Sequence, residues 1–279
     1  MADPEPLDTP RRAFLVLGMH RSGTSALTRL LALHGLQLPA RIMPPLPENE
    51  RGFWEAPEVA RLNDRLLALH GLAWNNPAPL QREALTGRPR RAAVAEITAL
   101  LGTLFPGQAD FVLKDPRMCR LLGLWRPALE AFGAEPVVVF AVRHPLEVAA
   151  SLATRNDMAR PQALLLWLAH VLEAERATRG LPRQVVHYDD LLRNWAGATR
   201  GPRQAFGLGP PDKAAIEDFL STGLRHAQSY MEGLLRDPAV PAAVKRVYAE
   251  LRRAPFESGL DPMPFDQARR DLAALQGLT

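Results

Sequence analysis

The sequence predicts an α/β fold: a parallel β-sheet flanked by helices, with a phosphate-cradling loop at the end of its first strand. Three observations carry this. Four short apolar runs, at 13–18, 110–114, 136–142 and 184–188, are separated by stretches with helical patterning. Their hydrophobicity is continuous rather than alternating, as expected of strands covered on both faces. The first run, AFLVLG, passes directly into a loop bounded by Gly18 and Gly23, followed by a helical pattern.

Taken in order, the acidic, proline-rich 1–11 reads as a leader without structure, and 12–279 as one domain with no internal repeat or low-complexity linker. Helices are expected near 23–35, 57–71, 89–105, 119–132, 145–156, 161–180 and 189–196, with several more after 211. In 161–180, Leu164, Trp167, Leu168, Val171 and Leu172 recur at the spacing of one helix face, giving a core-facing stripe. Pro145 suits the first turn of a helix, where its missing N–H would have had no partner. The proline-rich 36–56 and 73–88 lack periodicity and read as loops over the sheet edge, where open α/β folds bind ligands. The chemically interesting residues all fall at C-terminal strand ends: loop 18–25, Lys114 to Arg117, Arg143, and Tyr188. In a parallel sheet these ends share one rim.

Composition narrows the class. Hydrophobic residues make up 47% and charged residues 23%, ordinary values for a globular chain. No apolar run approaches the roughly 18 residues that span a bilayer, and the N-terminus lacks the pattern of a signal peptide; a cytoplasmic protein is expected. The single Cys119 excludes an internal disulfide framework and argues against a cysteine metal site. Net charge is +4, built almost wholly from arginine, since Lys114, Lys213 and Lys245 are the only lysines. That balance suits a small polyanion. No zinc-finger spacing, RNA-binding aromatic motif or basic zipper points to nucleic acid. His34, His70, His170, His187 and His226 show no metal-ligand spacing, and no metal is expected.

The loop reads Gly18-Met19-His20-Arg21-Ser22-Gly23-Thr24-Ser25. A strand feeding a glycine-bounded loop that opens a helix aims backbone N–H groups at an anion. The lysine that would follow the second glycine in an ATP- or GTP-hydrolysing loop is Thr24 here, and Arg21 is the loop's one permanent cation. A second candidate pair is Arg143 and Ser151, a strand-end arginine and a hydroxyl two turns into the next helix, able to clamp a phosphate from two sides. The plainer alternative is an arginine paired with a nearby carboxylate and a serine packed small.

Together these residues resemble the sulfotransferases. In that family a Lys or Arg precedes a Ser/Thr-Gly-Thr-Ser/Thr loop for the 5′-phosphosulfate, and an Arg-x-Pro segment with a Ser eight residues on binds the 3′-phosphate. The match to the family covers 13–190, and more closely the whole resembles bacterial members beginning Gly-Met-His-Arg-Ser-Gly-Thr-Ser. The resemblance implies a P-loop-like sulfotransferase core and 3′-phosphoadenosine 5′-phosphosulfate (PAPS) as co-substrate, without a metal. It implies donor contacts from Arg21, Ser22, Gly23, Thr24, Ser25, Arg143 and Ser151. Tyr188, in Tyr188-Asp189-Asp190-Leu191, resembles the family's tyrosine near the adenine, though a tyrosine there is as often plain packing. Lys114 resembles a strand-end lysine that stabilises the leaving group. The histidine that follows two residues later in cytosolic members is Pro116 here, and their glycine-rich C-terminal nucleotide motif is not visible after 190.

The base that takes the acceptor's proton is therefore open. Glu55, after Phe53 and Trp54, is the first candidate, with Glu58, Glu50 and His20 behind it; the plain role for Glu55 is to favour the next helix's N-terminus. Asp115 lies between two cations and should pair with one. Arg155, Asn156 and Asp157 either reach the site or form a solvated helix end. Phe53, Trp54, Trp74 and Trp167 are platform candidates that are more often core. The acceptor is expected to be a small molecule, glycan or lipid. Two rival readings are a nucleotide or small-molecule kinase and a nucleotide-binding scaffold without catalysis.

Overall fold

The computed structural model describes residues 11–47, 49–80, 85–107, 109–221, 231–253 and 259–275. Nearly all of the expected leader lies outside them, and so does His226. The first described residue, Arg11, is already in strand β1 (Arg11–Leu17), which is followed by α1 (Thr24–Ala32), α2 (Pro57–Leu69) and α3 (Gly87–Leu104). Next come β2 (Phe111–Lys114), α4 (Met118–Ala131), β3 (Ala134–Val142), α5 (Pro145–Asn156), α6 (Arg160–Ala177) and β4 (Arg183–His187). Three short helices follow, α7 (Tyr188–Arg193), α8 (Trp195–Ala198) and α9 (Arg200–Phe206). The chain then continues through α10 (Lys213–Ser221), α11 (Met231–Arg236), α12 (Ala242–Arg253) and α13 (Pro262–Leu275).

The sheet has order β2-β1-β3-β4 and every pairing is parallel. Its two faces are both buried. Ala13, Leu15 and Leu17 of β1 point into the layer that holds α2 to α6 together with α12 and α13. Phe14 and Val16 point the other way, against α1 and the short helices. This is why the strand sequences show no polar alternation. Gln37, from the predicted edge loop, bridges to Phe111 and covers the outer edge of β2. An uncovered edge would invite pairing with another chain.

Three expectations change in detail. The strand predicted over 184–188 ends at His187, and Tyr188 opens a helix instead. The helix predicted over 189–196 divides at Asn194, whose extended backbone (φ −154°) lets its side chain accept from the Gly197 N–H. Asparagine favours such caps over helix interiors. The stripe on α6 is real, but the helix is buried almost all round, because α4, α5, α12 and α13 surround it. Among the described residues no helix is long and apolar enough to cross a membrane.

Candidate functional site

The loop after β1 owes its shape to its glycines. Gly18 runs so close to β3 that a Cβ there would sit 2.5 Å from the Ala141 carbonyl oxygen. Gly23 has φ +80°, a left-handed conformation that costs side-chain-bearing residues energy. Its missing Cβ would also collide with the Tyr188 ring at 2.1 Å. Arg21 adopts φ +67° despite its side chain. Non-glycine residues held in this region cluster at ligand-gripping turns. The Ser22 N–H closes the turn on the Met19 carbonyl, and α1 starts at Thr24, so its first N–H groups face the loop's concavity.

Around this loop lies an open cavity of about 1270 Å³. Gly23, Thr24, Ser25, Arg21, His20, Glu55, Lys114, Arg143 and Tyr188 line it, so the strand-end residues do converge on one rim. Arg21 Nε donates to Ser151 Oγ at 2.8 Å, which ties the loop to the middle of α5. Arg143 Nη1 donates to the Arg21 carbonyl at 3.2 Å. Arg143 faces the cavity, and its Nε pairs with buried Glu147 on α5 at 2.9 Å, the carboxylate partner of the plainer alternative. Its guanidinium also lies over the Tyr188 ring, 4.9 Å from the centroid. Tyr188 thus buttresses the loop and Arg143 from one side.

On the β2 side, Lys114 Nζ and Glu55 Oε2 form a buried ion pair at 2.7 Å. Burial raises the Glu55 carboxyl above the ordinary carboxylate range, partly offset by Lys114. Of the other base candidates, Glu50 lines the cavity, whereas Glu58 does not and pairs with Arg41 and Arg61 on the surface. The His20 ring packs on Trp74 at 4.6 Å between centroids. Burial, then Arg117, His170, Arg155 and Lys114, hold it well below the ordinary histidine range, so it is neutral. Asp115 pairs with Arg117. Arg155 and Asn156 line the cavity from an exposed helix end, where Arg155 Nε donates to Asn156 Oδ1 at 2.8 Å, and Asp157 does not line it. Trp167 is fully buried against Tyr248 and is core. Phe53 lines the cavity, while Trp54 packs edge-on against Phe219 and under Arg29. Cys119 is buried in the core, and its Sγ accepts from the Gly18 N–H at 3.2 Å.

Two groups escaped the sequence reading. Phe219 of α10 lines the cavity, with the Arg51 guanidinium 6.0 Å above its ring. The sole signal was an aromatic in an otherwise silent C-terminal third. The second is a buried chain in which Trp125 Nε1 donates to Asn63 Oδ1 (2.8 Å) and Asn63 Nδ2 donates to Asp115 Oδ1 (3.1 Å). Its members lie far apart in sequence, and no local pattern announces them.

No family model matches the chain, and no curated protein matches it. Among solved structures, it is similar to a sulfotransferase domain from the curacin biosynthetic pathway. Identity is 14% and the TM-score 0.46, over 97% of this chain and 99% of that one. A sulfotransferase domain from the Synechococcus PCC 7002 olefin synthase matches at 17% identity and TM-score 0.43, over 98% of each chain. Retinol dehydratase in complex with androsterone and the inactive cofactor PAP matches at 17% and 0.36, over 95% of this chain and 82% of that one.

Proposed function

We propose that this protein is a sulfotransferase that moves a sulfuryl group from PAPS to a hydroxyl or amine of an acceptor. One observation carries the reading most: the hydrogen bond from Arg21 Nε to Ser151 Oγ. It joins the loop after β1 to the Arg143–Ser151 segment, 130 residues apart in sequence, beside the cavity that Arg21 lines. Arg143 and Ser151 would hold the 3′-phosphate. The N–H groups at 22–25, with the Thr24 and Ser25 hydroxyls, would hold the 5′-phosphate. Phe219 and Arg51 offer flat faces for a nucleobase, and Tyr188 steadies the loop beneath.

In-line sulfuryl transfer builds negative charge on the moving SO₃ and on the leaving phosphate oxygen, so catalysis should come from fixed cations and N–H donors. Arg21 and Lys114 fill that role. Glu55 is the proposed proton acceptor, its basicity raised by burial toward the useful range. When Lys114 turns to a donor oxygen it releases Glu55, so one movement supplies both a cation and a base. The kinase reading is weakened by Thr24 standing where the phosphate-reaching lysine would be. A scaffold role would leave the buried Lys114–Glu55 pair without a purpose in the cavity.

The test is calorimetric titration with 3′-phosphoadenosine 5′-phosphate (PAP), and with ATP plus magnesium, on wild type, Arg143→Ala and Ser151→Ala. Tighter binding of PAP than of ATP, weakened in both variants, is the expected result. Preference for ATP with no effect of either substitution would overturn the reading. Ser151→Ala guards against Arg143→Ala failing to fold.

A further inference from the structure

The cations of the cavity divide into two groups along the sheet's rim. With strand order β2-β1-β3-β4, Arg143 and Tyr188 stand beyond the ends of β3 and β4, the loop follows β1, and Lys114 ends β2 at the opposite edge with Asp115 to Arg117 after it. The proposed donor contacts use the loop and the β3–β4 side. Arg117 and Arg155 are left over, although both line the cavity.

Arg117 is held with unusual care. Its side chain is 13% exposed, with Nε on Asp64 at 2.5 Å and Nη1 on Asp115 at 2.8 Å. Asp115 is itself fixed by the Arg117 backbone N–H (2.8 Å) and by Asn63, which Trp125 holds in turn. Asn63, Asp115 and Trp125 are all fully buried. Among the described residues nothing accepts from Arg117 Nη2. A guanidinium anchored through two of its nitrogens and open at the third is pre-organised for one more oxyanion.

Arg155 lies on α5 four residues after Ser151, hence about 6 Å further along the same helix face. Ser151 touches Arg21, so Arg155 stands on the cavity side, away from Arg143. Its guanidinium carbon lies 5.7 Å from the Trp74 ring centroid, and the Trp74 ring packs against His20 at a tilt of 55°. His20 has both Arg117 and Arg155 among its electrostatic neighbours, so the two cations face one region. Met43, Leu46, Pro47 and Pro116 supply apolar wall to the same cavity.

We infer that Arg117 and Arg155 form an anion anchor for the acceptor, and that the acceptor is an alcohol or phenol that also carries a carboxylate. This rests on the sulfuryl-transfer reading. The carboxylate would sit between Arg117 Nη2 and Arg155, leaving the hydroxyl to reach Glu55 and Lys114. The acceptor is thereby selected by a charge remote from the reacting atom, and the cations there offset the repulsion it meets from the polyanionic donor.

The test uses the full chain saturated with PAP, titrated calorimetrically with matched pairs. One pair is 4-nitrophenyl β-glucuronide and 4-nitrophenyl β-glucoside; the other is 12-hydroxydodecanoate and its methyl ester. The acid of at least one pair should bind about tenfold more tightly than its neutral partner, as a charged hydrogen-bond pair implies. Arg155→Ala and Arg117→Lys should remove that preference while PAP affinity stays unchanged. Arg117→Lys keeps a cation beside Asp115 and so protects the fold. Equal or tighter binding of the neutral members, no binding by any of the four, or a preference that survives both substitutions would each overturn the anchor. Failure of PAP itself to bind would instead bring down the sulfotransferase reading beneath it.

Discussion

Substituting Gly23 by alanine tests whether the loop and Tyr188 form one unit. The new residue would be held at φ +80°, and a left-handed backbone costs an L-residue about 1–2 kcal/mol. Its Cβ would lie 2.1 Å from Tyr188 Cδ2 and 2.8 Å from two more ring atoms, so the ring must move. Moving it weakens the stack with Arg143, a contact worth about 0.5–2 kcal/mol. The sum is about 1.5–4 kcal/mol of lost stability, read as a lower urea midpoint with unchanged slope. PAP binding should weaken with it, because both proposed phosphate sites meet at this ring. Adding Tyr188→Ala removes the collision and leaves only the backbone cost, so the double variant should lose less than the two single effects summed. A Gly23→Ala protein within about 0.5 kcal/mol of wild type, the range of an ordinary surface change, would refute the argument.

Asn63→Leu should cost about 1–3 kcal/mol, since it strands the Trp125 indole N–H in the interior and takes one of two donors from Asp115 Oδ1, which keeps the Arg117 N–H; urea unfolding checks this, and a neutral result would refute it. Lys114→Ala should cut turnover about 10²–10³-fold and also destabilise, because buried Glu55 is left without its cation. Glu55→Gln should match that loss of turnover with less destabilisation, and comparable activity in Glu55→Gln would exclude it as the base. In wild type, the acid limb of turnover should lie above the ordinary carboxylate range, because burial raises the Glu55 carboxyl. Burial also pushes His170 down to about 3 and His187 to about 4, from an ordinary 6.5. Protons therefore bind the unfolded chain first. The stability from these two neutral rings is complete above pH 6.5 and is lost as pH falls toward about 4 for His187 and about 3 for His170, at about 1.4 kcal/mol per pH unit for each. Thermal melts at about pH 7 and about pH 5 should differ accordingly, and His187→Gln should reduce the difference while His170 keeps the remainder.

Much of the fold was legible because strands buried on both faces write themselves as unbroken apolar runs, and the glycine loop marks where the first one ends. The rim was legible for a related reason: parallel strands deliver their last residues to the same side. What local pattern could not show was pairing across the chain. Trp125, Asn63 and Asp115 come from α4, α2 and the β2 turn, and only tertiary packing brings them together. Glu147 was readable in principle, four residues after Arg143 and so on the same side of a turn. The division of α7 from α8 was missed because Asn194 looks like one more helical residue until its side chain caps the next turn. Phe219 was missed because an aromatic in a C-terminal helix is ordinarily core.

Three cations on this rim already own a buried carboxylate: Arg143 has Glu147, Lys114 has Glu55, and Arg117 has Asp115. An incoming polyanion therefore meets side chains that are already aimed, with much of their rotamer freedom lost before it arrives. It also meets a surface whose far field is damped, because each positive group is shadowed by a negative one a few ångströms behind. Association should accordingly respond to ionic strength less steeply than a count of arginines suggests, while discrimination at contact stays sharp. The protein has arranged its charge for grip at short range, not for capture from a distance.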